Sequence, residues 1–174
     1  MEEYFDVVDI NDEVLRKSPR SEVHREKSLH RAVHVFLFRS DGQMLIHRRT
    51  QTKEEFPGVW TSSCSGHVSA GETYDETAPR ELWEELKVPA KSLQRLQKFS
   101  ACESTSWEFT TLYRTTATVD PEPDEEEIAE IRWMAIPDIY AWITAEPDQF
   151  SPAFLILFRW YYEHQSSFPA MSPG

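Results

Sequence analysis

Apolar residues fall in short, dense runs separated by turn-forming residues. The densest run, Ala32 to Phe38 (AVHVFLF), is β-branched and aromatic and predicts a strand. Asp41-Gly42 is a turn dipeptide, and Met44 to Arg49 reads as the returning strand. Upstream, Phe5, Val7, Val8 and Ile10 run into Asn11-Asp12 and on to Val14-Leu15, which predicts a hairpin over 5–15. Arg16 to Ser28 reads as a polar connector, Phe56-Pro57-Gly58 as a loop and Val59 to Ser63 as strand-like. Thr73 with Glu76 three residues on forms a capping box, so a helix is expected from there to about Leu86. Phe99 to Ala101, Phe109 to Val119 and Ile131 to Met134 read as strands, with a charged loop at 120–127. Helices are expected over about 138–145 and 152–164, the second opened by Ser151 and Pro152. Strands with interspersed helices predict an α/β sandwich, with helices on both sides of a mixed sheet. One domain is expected over 1–165, with a flexible tail over 166–174.

Composition narrows the classes. The chain has 174 residues, 40% hydrophobic and 28% charged, which suits one soluble domain with a real core. The net charge of −12 repels nucleic acid polymers and anionic membranes at long range. It also repels phosphate, so a phosphate site must be made positive locally. Two cysteines, Cys64 and Cys102, lack metal-type spacing and fit a reducing compartment. The acidic N-terminus has no apolar leader segment, and Ala153 to Phe158 is too short to span a bilayer. A cytoplasmic protein is the expectation.

The helix after Thr73 carries the chemistry. At about 100° per residue, Glu81, Glu84 and Glu85 fall within an arc of about 100°. Ala78, Leu82 and Leu86 fall on an adjoining arc of roughly 80°, suited to face a sheet. Carboxylates this close repel one another and stay ionised only around a cation, and hard oxygen ligands select Mg²⁺ or Mn²⁺. Arg80 stands four residues before Glu84 and can hold it. A merely solvated acidic helix face is the alternative.

Gly66, Glu72 and the run Arg80-Glu81-Leu82-Trp83-Glu84-Glu85-Leu86-Lys87-Val88 resemble the Nudix box, Gx5Ex7REUxEExGU, over residues 66–88. The resemblance implies a Nudix-type α/β/α sandwich. It implies Glu81, Glu84 and Glu85 as metal ligands and Glu81 as a candidate general base. It gives Glu72 a supporting role and brings the Gly66 carbonyl toward a metal. The implied reaction is attack of water on phosphorus in a small-molecule diphosphate, with Mg²⁺ neutralising the diphosphate. Lys87 departs from the box's glycine at a helix C-cap, where a non-glycine residue costs around 1 kcal/mol. Pro79 deletes the hydrogen bond to the Asp75 carbonyl.

Leu29-His30-Arg31-Ala32, Arg48-Arg49, Phe56 to Thr61 and Gly66-His67 also resemble the isopentenyl diphosphate isomerase branch of the same superfamily. That branch implies proton transfer at an allylic carbon by a cysteine and a glutamate, beside a metal held by histidines and glutamates. Its cysteine position holds Ser65 here. Cys64, one residue away on an extended strand, points to the opposite face. Ser106 replaces one of the branch's glutamates and Glu108 matches the other. Three functions compete: a diphosphohydrolase, which leads, an isomerase, and a silent nucleotide-sensing module.

Other candidates stay open between two readings. His30 and His67 either line a pocket, touching phosphate or a second metal, or are hydrogen-bonded structural histidines; His24 and His34 are read as structural. Arg48 and Arg49 lie on opposite strand faces, so one contacts phosphate and the other is a surface charge. Glu108 is an extra ligand or base, or an exposed strand residue. Trp107 stacks on a substrate ring or packs in the core. Glu125 to Glu127 are solvated or supply a late carboxylate. The aromatic C-terminal helix packs on its own core or joins a homodimer.

Overall fold

Val33, Val35 and Leu37 join one hydrophobic core, while Phe36 and Phe38 join another. That alternation comes from a single strand buried on both faces. The computed structural model, which describes residues 2–169, builds the fold around it. The elements in order are β1 (Tyr4–Val8), β2 (Val14–Pro19), α1 (Arg20–Glu26), β3 (His30–Phe38) and β4 (Met44–Arg49). Next come β5 (Trp60–Thr61), β6 (Cys64–His67), α2 (Tyr74–Leu86), β7 (Gln94–Phe99), β8 (Glu108–Thr116) and β9 (Ile128–Met134). The chain then forms α3 (Ile136–Ala145) and α4 (Pro152–His164).

β1 and β2 pair as a separate hairpin. The other strands form one mixed sheet in the order β5-β4-β3-β8-β7, with β6 added to β3 and β9 to β4. β3 and β8 are parallel and the other pairings antiparallel. Ala78, Leu82 and Leu86 of α2 cover one face with Val33, Val35 and Leu37. Ile139 and Ile143 of α3, with Phe154, Leu157 and Phe158 of α4, cover the other. The result is the expected α/β/α sandwich. No described helix is long and apolar enough to cross a membrane.

The termini of α2 follow the residue chemistry. Thr73 and Glu76 exchange the two capping-box hydrogen bonds. Lys87 ends the helix in the left-handed region at φ 56, and its Nζ donates to the Glu84 carbonyl at 3.1 Å. The helix runs through Pro79 unbroken, held by its buried face.

Several segments depart from the sequence reading. The connector after Arg16 instead extends β2 to Pro19 and then forms α1. This helix has one apolar anchor, Val23, packed with Phe5 and Val7, so its sequence carries no periodicity. Arg16 binds it through Glu22 and Glu26. β6 is built of small and polar residues and gave no apolar signal. The strand expected at 99–101 is β7, shifted to Gln94–Phe99, because an edge strand alternates exposed polar residues. Of the segment 166–174 expected as a flexible tail, residues 166–169 are described and make contacts. Phe168 stacks on Tyr161, and Arg114 donates to the Pro169 carbonyl at 2.7 Å. Residues 170–174 lie outside the described residues.

One polar knot fastens the hairpin to the sandwich. Asp12 sits at φ 65, accepts from Arg31 Nε at 2.6 Å and from the Tyr74 hydroxyl at 2.9 Å, and pairs with Lys98. Burial alone would raise the Asp12 carboxyl, but Lys98, Arg31 and Tyr74 hold it below its ordinary value. Asp12→Ala leaves two cations without their counter-charge and is expected to cost about 3 kcal/mol in a denaturant titration. A cost below about 1 kcal/mol would show the knot to be worth no more than a surface pair.

Candidate active site

The strand register assembles the site at one end of the sheet. The parallel β3–β8 pairing sets His30 beside Glu108. The antiparallel β3–β6 pairing sets His67 opposite Ala32 and Ser65 opposite His34. A cavity of about 290 Å³ opens here, lined by Ser65, Gly66 and His67 from β6, by Glu81, Glu84 and Glu85 from α2, and by Arg49 and Glu108. Ser65 lines the cavity, whereas Cys64 is buried in the core under α2. The opposite-face reading of these two neighbours therefore holds.

The three glutamates differ in environment. Glu85 is buried, Glu81 nearly so, and Glu84 largely exposed. Arg80 holds two of them together: Nη1 donates to Glu81 at 2.8 Å and to Glu84 at 2.9 Å. Its Nε and Nη2 grip Glu72 at 3.0 and 2.9 Å. Burial pushes the Glu81 carboxyl up to about 7 despite Arg80, with the Glu84 charge adding to the rise. Burial raises Glu85 well above its ordinary value, and Glu81 and Glu127 add to it. Burial is thus a larger cause than the mutual repulsion that the sequence suggests. Both groups tend toward neutrality unless a cation offsets the burial, which is the environment a divalent-metal site provides. Gly66 sits against Glu81 so closely that a Cβ would lie 2.0 Å from its carboxyl carbon.

A second set of donors adjoins the cavity at His67 and Glu108. Ligand atoms of His24, His30 and His67 all fall within 4.8 Å of one another. The Nε2 atoms of His24 and His30 are buried without a hydrogen bond, and that of His67 faces Glu108. His30 Nδ1 donates to the Ser28 carbonyl at 2.9 Å, which leaves Nε2 as a lone pair. His24 Nδ1 faces Glu55 at 3.4 Å. Glu108 Oε1 lies 2.9 Å from His67 Nε2 and 3.6 Å from His30 Nε2. Burial alone would raise Glu108, but the two histidines hold it far below the carboxylate range. Imidazole nitrogens beside a buried carboxylate fit a transition-metal site.

His24 is a correction: read as structural, it joins this cluster, because α1 folds it back over β3. Its one sequence trace was the six-residue spacing from His30. Of the two arginines on opposite strand faces, Arg48 is the surface charge. It points away from the cavity and pairs across strands with Glu130 at 3.2 Å, so Arg49 is the arginine of the pocket. Arg49 is fixed by donating from Nε to the Glu55 carbonyl at 3.1 Å. Trp107 does not line the cavity; it sits at φ 65 in the turn that launches Glu108, and its carbonyl accepts from the His30 amide. Lys53 and Phe56 line the cavity without having been singled out as site residues, Phe56 having entered only through a loop and a stretch of resemblance, and Glu127 is the member of the acidic run at 125–127 that lines it along with them.

Two further histidines set an acid limit. His34 contacts the Ser62 hydroxyl at 2.5 Å and His47 donates to the Ser63 carbonyl at 3.1 Å; burial pushes both down to about 4. An unfolded histidine titrates near 6.5, so between about 6.5 and 4 the unfolded chain binds more protons. Their stabilisation is complete above that window and is lost as pH falls through it. Glu81 and Glu85, with raised values, run the other way and lose stabilisation as pH rises. His47→Gln is therefore expected to lose about 2 kcal/mol less than the parent between pH 7 and 5 in urea titrations. Equal losses in the two proteins would show His47 to be solvated.

Comparison with known proteins agrees with this geometry. The NUDIX domain family model matches residues 28–154. An isopentenyl-diphosphate Delta-isomerase of Nocardia farcinica is 32% identical over 77% of this chain and 80% of its own length. An uncharacterized Nudix hydrolase of Yersinia pestis is 30% identical over 86% of this chain and 80% of its own. The crystal structure of DR0079 from Deinococcus radiodurans superposes with a TM-score of 0.82 at 30% identity, covering 92% of this chain and 99% of that one. The chain belongs to the Nudix family. Within it, the similarity lies near the isopentenyl diphosphate isomerase branch.

Proposed function

We propose that this protein is a divalent-metal-dependent hydrolase of a diphosphate linkage in a small anionic substrate. The observation that carries the reading is Glu81, packed on Gly66 and held by Arg80, next to the buried Glu85, beside a cavity that presents Ser65 and no thiol. Glu85, Glu81 and Glu84 would hold Mg²⁺ or Mn²⁺, and the His24, His30, His67 and Glu108 set offers a second position. When bound, the ion supplies charge neutralisation of the diphosphate and lowers the pKa of water. Glu81, pushed up to about 7, is suited to take the proton from the attacking water at neutral pH. The water oxygen bonds to phosphorus as the bridging P–O bond breaks, and the bridging oxygen leaves on the second product. Arg49 and Lys53, which also line the cavity, would offset the leaving charge, and Arg80 keeps Glu81 and Glu84 in place.

An isomerase is the second reading, favoured by the histidine–Glu108 cluster. Against it, a serine hydroxyl is a far poorer acid or base than a thiol near neutral pH. A panel of nucleoside diphosphate and related substrates, assayed with Mg²⁺ and Mn²⁺, tests the first reading. Metal-dependent release of phosphate products is expected. Conversion of isopentenyl diphosphate to its dimethylallyl isomer, with no hydrolysis across the panel, would overturn it.

A further inference from the structure

The β1–β2 hairpin carries aliphatic residues on its outside. Among the described residues, half of the large apolar side chains left exposed belong to it: Tyr4, Ile10, Val14 and Leu15. Ile10 is 73% exposed, Leu15 65% and Val14 52%. The inner face needs none of them, because Phe5 and Val7 already pack with Val23. The turn is fastened separately, through Asp12. Exposed aliphatic residues scattered singly call for no explanation, but three at one end of a hairpin form a patch.

β2 is also an open edge. The hairpin is a two-stranded sheet, in which β1 pairs with β2 on one side and is bridged through Phe5 to Ser69 on the other. Among the described residues, β2 pairs with no other strand. The edge reads Glu13-Val14-Leu15-Arg16-Lys17, all exposed, so its charge runs from acid to base across an aliphatic centre. Arg16 is used within the copy, by Glu22 and Glu26. Glu13 and Lys17 make no ion pair among the described residues, and Lys17 lies over the Tyr4 ring, 4.8 Å from its centroid.

We propose that this edge joins two copies of the chain, with β2 of one lying antiparallel to β2 of the other about a two-fold axis at Leu15. A two-fold interface must be complementary to itself. Reversal about Leu15 sets Glu13 against the partner subunit's Lys17, and Lys17 against the partner subunit's Glu13. The aliphatic side chains then meet between two ion pairs. A parallel arrangement would set acid against acid and base against base. A different protein would have to bring the matching order of charges, whereas a second copy brings it by symmetry. The register between β1 and β2 shifts at Val7/Val8, leaving Leu15 as the extra residue. A bulge interrupts a backbone ladder, so the pairing rests on side chains. The net charge of −12 opposes association, but salt screens it beyond about 8 Å and leaves the contacts to decide. Three aliphatic side chains per copy fall short of the roughly 800 Å² per partner in a standard interface, so the dimer is reversible. β2 runs directly into α1, which bears Arg20 of the cavity lining and His24, so pairing braces that wall.

Sedimentation velocity of the full chain across roughly 1–200 μM tests the proposal. A monomer–dimer equilibrium is expected. Leu15→Asp should raise the dissociation constant roughly tenfold or more. Glu13→Lys and Lys17→Glu should each weaken pairing by roughly tenfold, because each sets like charges face to face. Mixing those two variants should restore association as a heterodimer, since every facing pair is then opposite in charge. All three positions are exposed, so the variants should melt as the parent does. The proposal is overturned if the parent stays monomeric throughout, if Leu15→Asp dimerises like the parent, or if the mixture associates no better than either variant alone.

Discussion

Glu85→Gln is expected to lower metal-dependent turnover by roughly 10²–10³, equivalent to about 3–4 kcal/mol of transition-state stabilisation. The metal-free variant is expected to be at least as stable as the parent. These two outcomes oppose each other for a physical reason. Glu85 is buried, and its carboxyl is raised well above the ordinary value by that burial and by Glu81 and Glu127. Without a cation, the folded state binds a proton that the unfolded state gives up above about pH 4.5, so stability falls as pH rises toward neutrality. Glutamine has nearly the same shape and no charge to desolvate, so it removes that penalty. It also removes an anionic ligand, so the rise in melting temperature on adding Mn²⁺ should shrink sharply. Melting curves at pH 5 and 7, with and without Mn²⁺, separate the two effects. A metal-free variant that melts several degrees lower would make Glu85 a structural residue. An undiminished Mn²⁺ response would place the ion elsewhere.

The parts of this molecule legible in its sequence are those where one residue type at fixed spacing meets one physical demand. The capping box at Thr73, the buried stripe Ala78-Leu82-Leu86 and the carboxylate edge of α2 are all local, and the helix repeat alone relates them. The left-handed C-cap at Lys87 was legible for the same reason, since the position requires it whatever residue stands there. What stayed hidden depends on register between distant strands. His30 meets Glu108 only because β3 and β8 run parallel in that register, and His24 joins them only because the short helix α1 is pinned by Val23 and Arg16. Arg48 and Arg49 could be assigned to opposite faces from the strand period. Which face held the pocket was settled by the pairing with β9, where Glu130 takes Arg48. β6 carried no apolar signal because its work is done by backbone and small side chains, so its extended backbone was readable only through the family resemblance, and Gly66 on it is selected by what it omits.

Gly66→Ala is expected to cost as much activity as removing the Glu81 carboxylate itself, roughly 10²–10⁴, while barely changing stability. An added Cβ would lie 2.0 Å from the Glu81 carboxyl carbon and 2.3 Å from each of its oxygens, well inside contact distance. Gly66 pairs with Val33 in regular strand geometry, so alanine is conformationally acceptable there. Only the far end of Glu81 must move. Its displacement breaks the contact with Arg80 but leaves Arg80 bound to Glu72 and Glu84, so α2 stays anchored. Restricting the unfolded chain offsets part of any loss, since glycine-to-alanine changes at compatible sites gain about 0.4–1 kcal/mol. The decisive comparison is the double variant. If glycine serves only to admit the Glu81 carboxylate, Gly66→Ala added to Glu81→Gln should lower the rate little further, because both remove one interaction. Losses that multiply would show that Gly66 acts through something other than Glu81, such as direct approach of its carbonyl to the ion.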